Sequence, residues 1–403
     1  MEKITTQDGL TRQERGMEIA RTSRITKNKL GWKVPSQTGS GHYVVSKDHD
    51  FCTCPDFEKH GVTCKHIHAV EFVIQRKVDP DGTVTETKAV RVTYSQDWNA
   101  YNQAQTQEKR LFQGILHDLC KGLPDKQQTV GRPQTSTADK VFAAALKVYS
   151  TVSGRRATCD LKDAANEGLM THAPHYNSIS NYLEDQAFTA ILKNLIEKSA
   201  QPLKGIESNF ALDSSGFSTS TYSRWFDEKY GKERRCLKSK RQWLKAHLMT
   251  GVKTNIVTSV EVTPKYVHDS TQLPALVERT SRGFDMNEVS ADKAYLSNSN
   301  LAVIEKTGAT PFIPFKSNTT GSGSTTWEKL YCMFTLHQDE FLIHYHKRSN
   351  VETTFFMIKA KFGAFVRSKS MTAQVNEILL KVLCHNICVL VSAIFENNLQ
   401  VAF

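Results

Sequence analysis

The chain has 403 residues, 39% hydrophobic and 23% charged, which is enough apolar content for two or three packed domains and excludes a disordered chain. Its formal charge of +11 at pH 7 favours an anionic partner, most commonly nucleic acid, although a generic basic surface would carry the same charge. Nine cysteines, three of them crowded at Cys52, Cys54 and Cys64, do not resemble a secreted disulfide framework and suit a reducing compartment with one metal site and several buried thiols.

The first stretch, MEKITTQDGLTRQERG, has no apolar export segment, so a cytoplasmic location is expected. Residues 1–50 read as basic and polar, ending in a strand-like alternation at His42–Val45. A compact Cys/His cluster follows, then an apolar helix over 67–73 and turns or linker over 78–88. Helical spacing over 98–119 puts Leu111, Ile115 and Leu119 on one face. The polar run 124–137 reads as a domain boundary.

Three or four helices are predicted between 138 and 200. Val141, Phe142, Ala145, Leu146 and Tyr149 form the apolar face of the first, with Gly154 as its C-cap. A short helix over 160–169, a break at His172-Ala173-Pro174, another helix around 179–183 and a last one over 183–199 complete the set. A helix-turn-helix unit and a plain helical bundle both fit this pattern.

From 208 the texture becomes mixed α/β. Strands are predicted at 209–213, 247–252, 256–263, 287–291 and 310–315, with helices at 271–280 and 297–306. A polar Gly/Ser/Thr stretch at 317–326 precedes a long helical segment and a final apolar helix. That order implies one α/β domain. The run 378–395 is apolar enough to raise the question of a membrane. Lys381, His385 and Asn386 within it make a buried helix the better reading.

In FCTCPDFEKHGVTCKHIHAV the candidate ligands are Cys52, Cys54, Cys64 and His66, two close pairs that a turn at Pro55 and Gly61 can bring together. Four N/S donors suit a tetrahedral, closed and therefore structural zinc site, which contributes about 10–16 kcal/mol of folding energy. His60 and His68 are competing donors read as bystanders. The cluster, with its strand-like lead-in, resembles the SWIM zinc finger, whose pattern is C-x-C-x(n)-C-x-H behind a β-hairpin. The resemblance spans about residues 30–75 and implies contact with DNA or protein.

Asp213 ends the apolar run Phe210-Ala211-Leu212, and Asp292 ends Val289-Ser290-Ala291. Carboxylates at strand C-terminal ends face the usual ligand edge of an α/β sheet. In YHKRSNVETTFFMIKAKFG, Tyr345, Arg348, Glu352 and Lys359 fall on one helical face. Neither a core-facing nor a solvated stripe has reason to mix these types. A metal carboxylate flanked by phosphate-binding donors does. An exposed helix with an Arg348–Glu352 pair is the plain alternative.

This Y-x2-R-x3-E-x6-K segment resembles the signature of DDE transposases of prokaryotic insertion sequences, and 208–396 resembles their ribonuclease H-like catalytic domain. The resemblance implies Asp213, Asp292 and Glu352 as the catalytic acids, holding two Mg²⁺ or Mn²⁺ ions. It implies Tyr345, Arg348 and Lys359 as residues that position the transposon end. The interval between Asp292 and Glu352 is too short for the large β-rich insertion of some relatives, and Trp327 within it reads as packing rather than a stacking platform.

Between 224 and 245 nine Lys/Arg face three acids, interleaved with Trp225, Tyr230 and Trp243. This stretch, Lys245 included, reads as a phosphate-contacting hairpin. His268-Asp269 fits either a pair supporting the acids from behind or an ordinary helix start, and the helix start, with Asp269 or Ser270 as cap, is the better reading.

The expectation is a mixed α/β, ribonuclease H-like sheet with flanking helices over 205–400. A zinc-binding ββα module over 1–80 and a helical, helix-turn-helix-like DNA-binding region over 90–200 precede it. Double-stranded DNA is the expected partner, with a homodimer or higher assembly in the DNA complex. A host nuclease or resolvase of the same fold, or a domesticated DNA-binding protein without catalysis, are the rival readings.

Overall fold

The computed structural model describes residues 11–28, 31–37, 39, 41–78, 84–88, 97–125, 130–131, 134–219, 243–316 and 319–403. The chain divides into two compact units, Met1–Ser95 and Gln96–Phe403.

The first unit opens with α1 (Arg12–Thr22), started by a capping box in which Thr11 and Glu14 satisfy each other's backbone amides. A three-stranded antiparallel sheet follows: β1 (Thr26–Asn28), β2 (Gly31–Pro35) and β3 (His42–Val45). Next come α2 (Pro55–His60), α3 (Lys65–Val73) and an antiparallel hairpin of β4 (Ile74–Val78) with β5 (Val84–Lys88). The unit is thus larger than the ββα module expected, and part of the stretch read as linker is strand. Gly16 lets α1 lie close on α3, since a Cβ there would sit 2.6 Å from the Cβ of His68. Gly31 has a φ of +148°, and a Cβ there would meet the Val45 carbonyl oxygen at 2.0 Å. Trp32, Val34, Val45, Ile67 and Val70 form the small core beside the cysteines.

The second unit begins with five helices: α4 (Trp98–Cys120), α5 (Thr137–Ser150), α6 (Gly154–Asn166), α7 (Tyr176–Glu184) and α8 (Gln186–Ala200). α6 and α7 pack on α5 and on each other. Gly154 is the first residue of α6, capped by Ser153, and α5 stops instead at Thr151, which takes the left-handed conformation at φ 56°. A sheet of β6 (Asn209–Ser218), β7 (Trp243–Gly251), β8 (Val257–Pro264), β9 (Glu288–Ala291) and β10 (Thr310–Phe312) follows, in the order β10-β9-β6-β7-β8. β7 is antiparallel to both neighbours, whereas β6, β9 and β10 are parallel. This is the mixed sheet of a ribonuclease H-like fold. α9 (Leu273–Ser281) and α10 (Asn298–Lys306) connect the last strands, and α11 (Thr325–Leu336), α12 (Gln338–Tyr345), α13 (Ser349–Phe362) and α14 (Met371–Glu396) complete the chain.

α14 is long and apolar enough to cross a membrane by length and composition, yet it is the core helix here, packed by α4, α5, α7, α8, β8 and α13. Its polar residues satisfy backbone that would otherwise be stranded. Asn386 accepts from the Val257 amide at 2.9 Å and donates to the Val257 carbonyl at 2.7 Å, stapling edge strand β8. Lys381 donates to the carbonyls of Gly363 and Phe365, and Glu377 accepts the amides of Arg367 and Ser368. One core therefore joins the helices of 98–200 to the sheet, running from Phe112 and Phe142 through Phe210 and Leu248 to Leu383.

Candidate functional site

The parallel ladder of β6 and β9 ends at the pair Leu212–Ala291. The next residue on each strand is an aspartate, so Asp213 and Asp292 stand side by side where the pairing stops. β6 runs on to Ser218 against β7 alone. Asp213 therefore lies mid-strand, not at the strand end that the short apolar run suggested. Asp292 caps a single 3₁₀ turn, Lys293–Tyr295.

Glu352 comes from another element. α12 ends at Tyr345, a 3₁₀ turn covers His346–Arg348, and α13 begins at Ser349. The long helix expected here is thus interrupted, although the dihedrals through the turn stay near helical. Residues i and i+3 eclipse in a 3₁₀ turn, which sets the Arg348 guanidinium above the Tyr345 ring, 5.9 Å from its centroid. Glu288, at the start of β9, anchors the turn through His344 at 3.0 Å and Lys347 at 2.5 Å.

Arg348 bridges two of the acids. Its Nη1 donates to Asp213 and its Nη2 to Glu352, each at 2.5 Å. The other Asp213 oxygen accepts the Ser214 amide at 2.8 Å. Burial holds the Asp213 carboxyl above its usual range. Asp292 and Glu352 add to that, while Ser214 and Arg348 oppose it. Lys359, two turns beyond Glu352, donates to Ser215 Oγ at 2.6 Å and lies 5.2 Å from the Phe217 ring. Burial lowers its pKa.

Alternate residues of a strand share a face, so Asp213, Ser215 and Phe217 look toward α13. Asp213, Arg348, Glu352 and Lys359 meet on that face, with Asp292 alongside and Tyr345 beneath Arg348. Asp213 and Asp292 are hard oxygen donors of the kind Mg²⁺ takes, and Glu352, 59% exposed, stands at the solvent side. Arg348 supplies the counter-charge between Asp213 and Glu352, and the three acids do not draw into as tight a donor cluster as the cysteines do.

Asp269 also belongs to this neighbourhood, the supporting role that stood as the alternative to a helix start. A 3₁₀ turn does begin there, but with no side-chain cap bond. Its carboxylate instead takes Ser214 Oγ at 2.9 Å and Lys245 Nζ at 2.5 Å. Lys245 is accordingly turned inward, donating also to the Val267 carbonyl, and is not a free phosphate contact. The remaining basic residues of the expected hairpin, 224–241, lie outside the described residues. Trp327 packs edge-on against Phe315 at 5.1 Å and donates to the Thr320 carbonyl.

In the first unit Cys52, Cys54, Cys64 and His66 are all buried, with their donor atoms within 4.8 Å of one another. Among the described residues this is the group that meets the geometry of a metal centre. Pro55 opens α2 behind Cys54, and Gly61 closes it in the left-handed conformation, so the helix returns the chain toward Cys64. Cys64 is the favoured thiolate, drawn down to about 4 chiefly by the Cys52 side chain, against the cost of burial. His66 Nε2 is buried without a partner. Three thiols and an imidazole fit zinc. His68 pairs with Glu71 at 3.0 Å instead, and His60 is exposed at the end of α2.

Residues 204–387 match the family model of the transposase DDE domain, and residues 43–75 match that of the SWIM zinc finger. No curated protein and no solved structure matches the chain.

Proposed function

Because the chain carries a transposase DDE domain behind a SWIM zinc finger, we propose that it cuts DNA at the ends of an insertion sequence and transfers those ends into target DNA. The observation that carries this reading is the juxtaposition of acids from separate elements. The β6–β9 register sets Asp213 beside Asp292, and Arg348 ties Asp213 to Glu352. Asp213, Asp292 and Glu352 would hold two Mg²⁺ or Mn²⁺ ions, which supply an activated attacking oxygen and charge stabilisation of the leaving oxygen.

The chain's own side chains do the placing. Arg348 offers a planar fork that fits phosphate oxygens as well as the carboxylates it grips here. Lys359, half-buried against Phe217, offers a point charge on the same face. Tyr345 supports the guanidinium from below. Arg155, Arg156 and Lys162 are exposed on α6, which suits a role for the helices of 137–200 in gripping duplex DNA. The zinc at Cys52, Cys54, Cys64 and His66 is structural in this reading, since four protein ligands leave no open position. Double-stranded DNA is the partner, engaged by a dimer or larger assembly in the cytoplasm.

A labelled duplex carrying the element's own end tests the reading. Wild type is expected to nick it with Mg²⁺ or Mn²⁺, and Glu352→Ala is expected to bind it without cutting. Binding by both proteins with cleavage by neither would leave a DNA-binding protein in place of a transposase.

A further inference from the structure

Behind the Asp213 strand, on the face of the sheet away from α13, lies a second polar group. Ser214 and His247 are register partners on β6 and β7, as are Gly216 and Lys245, so their side chains share this face. Asp269 sits over them and takes the Ser214 hydroxyl with one oxygen and the Lys245 ammonium with the other. His247, fully buried, faces the same Asp269 oxygen at 4.0 Å and bonds Thr263 Oγ1 with its other nitrogen at 2.8 Å. The next residue after Asp269 is held as well. Asn300 Nδ2 donates to the carbonyl and hydroxyl of Ser270 at 3.1 and 2.9 Å, and to the Tyr295 carbonyl at 2.8 Å. Tyr295 closes the turn that Asp292 caps, its amide donating to the Asp292 carbonyl.

The network therefore joins the two catalytic strands by a route independent of their ladder. One end is Ser214, whose amide fixes Asp213. The other is the 293–295 turn, whose position fixes Asp292. The need for it follows from the strand pairing. Beyond Leu212, β6 has lost β9 and is held along one edge only, until Ser218 meets the 364–366 segment. Three observations set this network apart from ordinary packing. His247 Nδ1 is buried without a hydrogen-bond partner and faces the Asp269 carboxylate at 4.0 Å. The Tyr295 side chain is 1% exposed, with its hydroxyl packed beside Ser214. It lies among the charges of Asp269, Asp213 and Asp292.

We propose that Asp269 is a positioning residue: through Ser214 on one side and the Ser270–Asn300–Tyr295 chain on the other, it sets the orientation and spacing of Asp213 and Asp292 for a divalent cation. Asp269 itself does not touch the reacting phosphate. This inference rests on the function proposed above.

Mn²⁺ binding, followed by electron paramagnetic resonance on the full chain with its zinc retained, tests it without relying on turnover. Asp213→Asn serves as the control that defines the site. Ser214→Ala removes the hydroxyl link and leaves the amide, and Asp269→Asn removes the charge and one of the two acceptors. Both are expected to weaken Mn²⁺ at the Asp213 site about 10-fold, the lower end for loss of a residue that orients a metal ligand. The metal concentration for half-maximal cleavage should rise in step, with the plateau rate recovered at excess metal. A merely structural role would lower the melting temperature and leave the metal affinity of the folded protein alone. Unchanged Mn²⁺ affinity in both variants, with Asp213→Asn weakened, overturns the brace and spares the function. If Asp213→Asn leaves Mn²⁺ binding as it is in wild type, the metal site is elsewhere and both proposals fall.

Discussion

Arg348 stands where a cation is needed, and replacing it with alanine exposes what it balances. Its bond to Asp213 joins two side chains that are each about a fifth exposed, so a charge-assisted bond there is worth about 2 kcal/mol. The bond to Glu352 reaches a carboxylate that is 59% exposed and is screened to a few tenths of a kcal/mol. Removing the guanidinium also leaves Asp213 beside Asp292 with no counter-charge. A loss of roughly 2–3 kcal/mol corresponds to roughly 3–5 °C in the melting of the 96–403 unit. Saturating Mn²⁺ should close most of that gap. A bound cation stabilises the fold by mass action, and in Arg348→Ala it replaces an absent charge, whereas in wild type it competes with one already present. Differential scanning calorimetry of both proteins, dialysed free of added divalent cations and then titrated with Mn²⁺, reads the effect directly. If the variant melts with wild type before metal is added, or gains no more than wild type from it, Arg348 is not the resident counter-charge of these acids.

Two further outcomes follow from buried groups. Stripping zinc should unfold the 11–95 unit, with protease sensitivity confined to it and the 96–403 melting unchanged, and metal analysis should find one zinc per chain, lost in Cys54→Ala. A zinc-free chain with an intact first unit would refute the site. His385, wholly buried with Nε2 donating to the Asn255 carbonyl, is held down to about 4 by burial. Its folded pKa lies below its unfolded value of about 6.5, so the unfolded chain binds more protons between those values. Its contribution to stability is whole above about pH 6.5 and falls away toward pH 4, by about 3 kcal/mol in all. His385→Gln should reduce the slope of the denaturant-derived stability curve across that window, leaving the share from His247, which burial also lowers to about 4. An unchanged slope would place the acid sensitivity elsewhere.

The pairing of Asp213 with Asp292 was legible because each follows a short apolar run, and parallel strands in register bring such positions together. The zinc ligands were legible because their spacing is short and local. The interruption between Tyr345 and Ser349 was not, since HKRS holds neither proline nor glycine, and the tightening follows from the grip of Glu288 on His344 and Lys347. Asp269 was ranked as a helix start above a supporting role for a related reason. An aspartate at a helix start is ordinary in one dimension, and only the sheet brings Ser214 and Lys245 to it. Gly154 misled because glycine marks helix ends on both sides. Ser153 made it a start, and Thr151 took the left-handed stop that glycine usually takes. α1 escaped notice within a polar stretch, although Thr11 and Glu14 carry the sequence mark of a helix N-terminus.

The dependence of edge strand β8 and of the 363–368 loop on α14 has a consequence for synthesis. Residues 371–396 leave the ribosome after every acid of the site has been made, yet Asn386, Lys381 and Glu377 must be in place before β8 and the support of β6 are satisfied. The first unit holds its own core and can assemble while the rest is being translated. The second unit completes its core only once α14 has emerged, so a chain that stops short of α14 is expected to keep the first unit and to lose the cleavage proposed above.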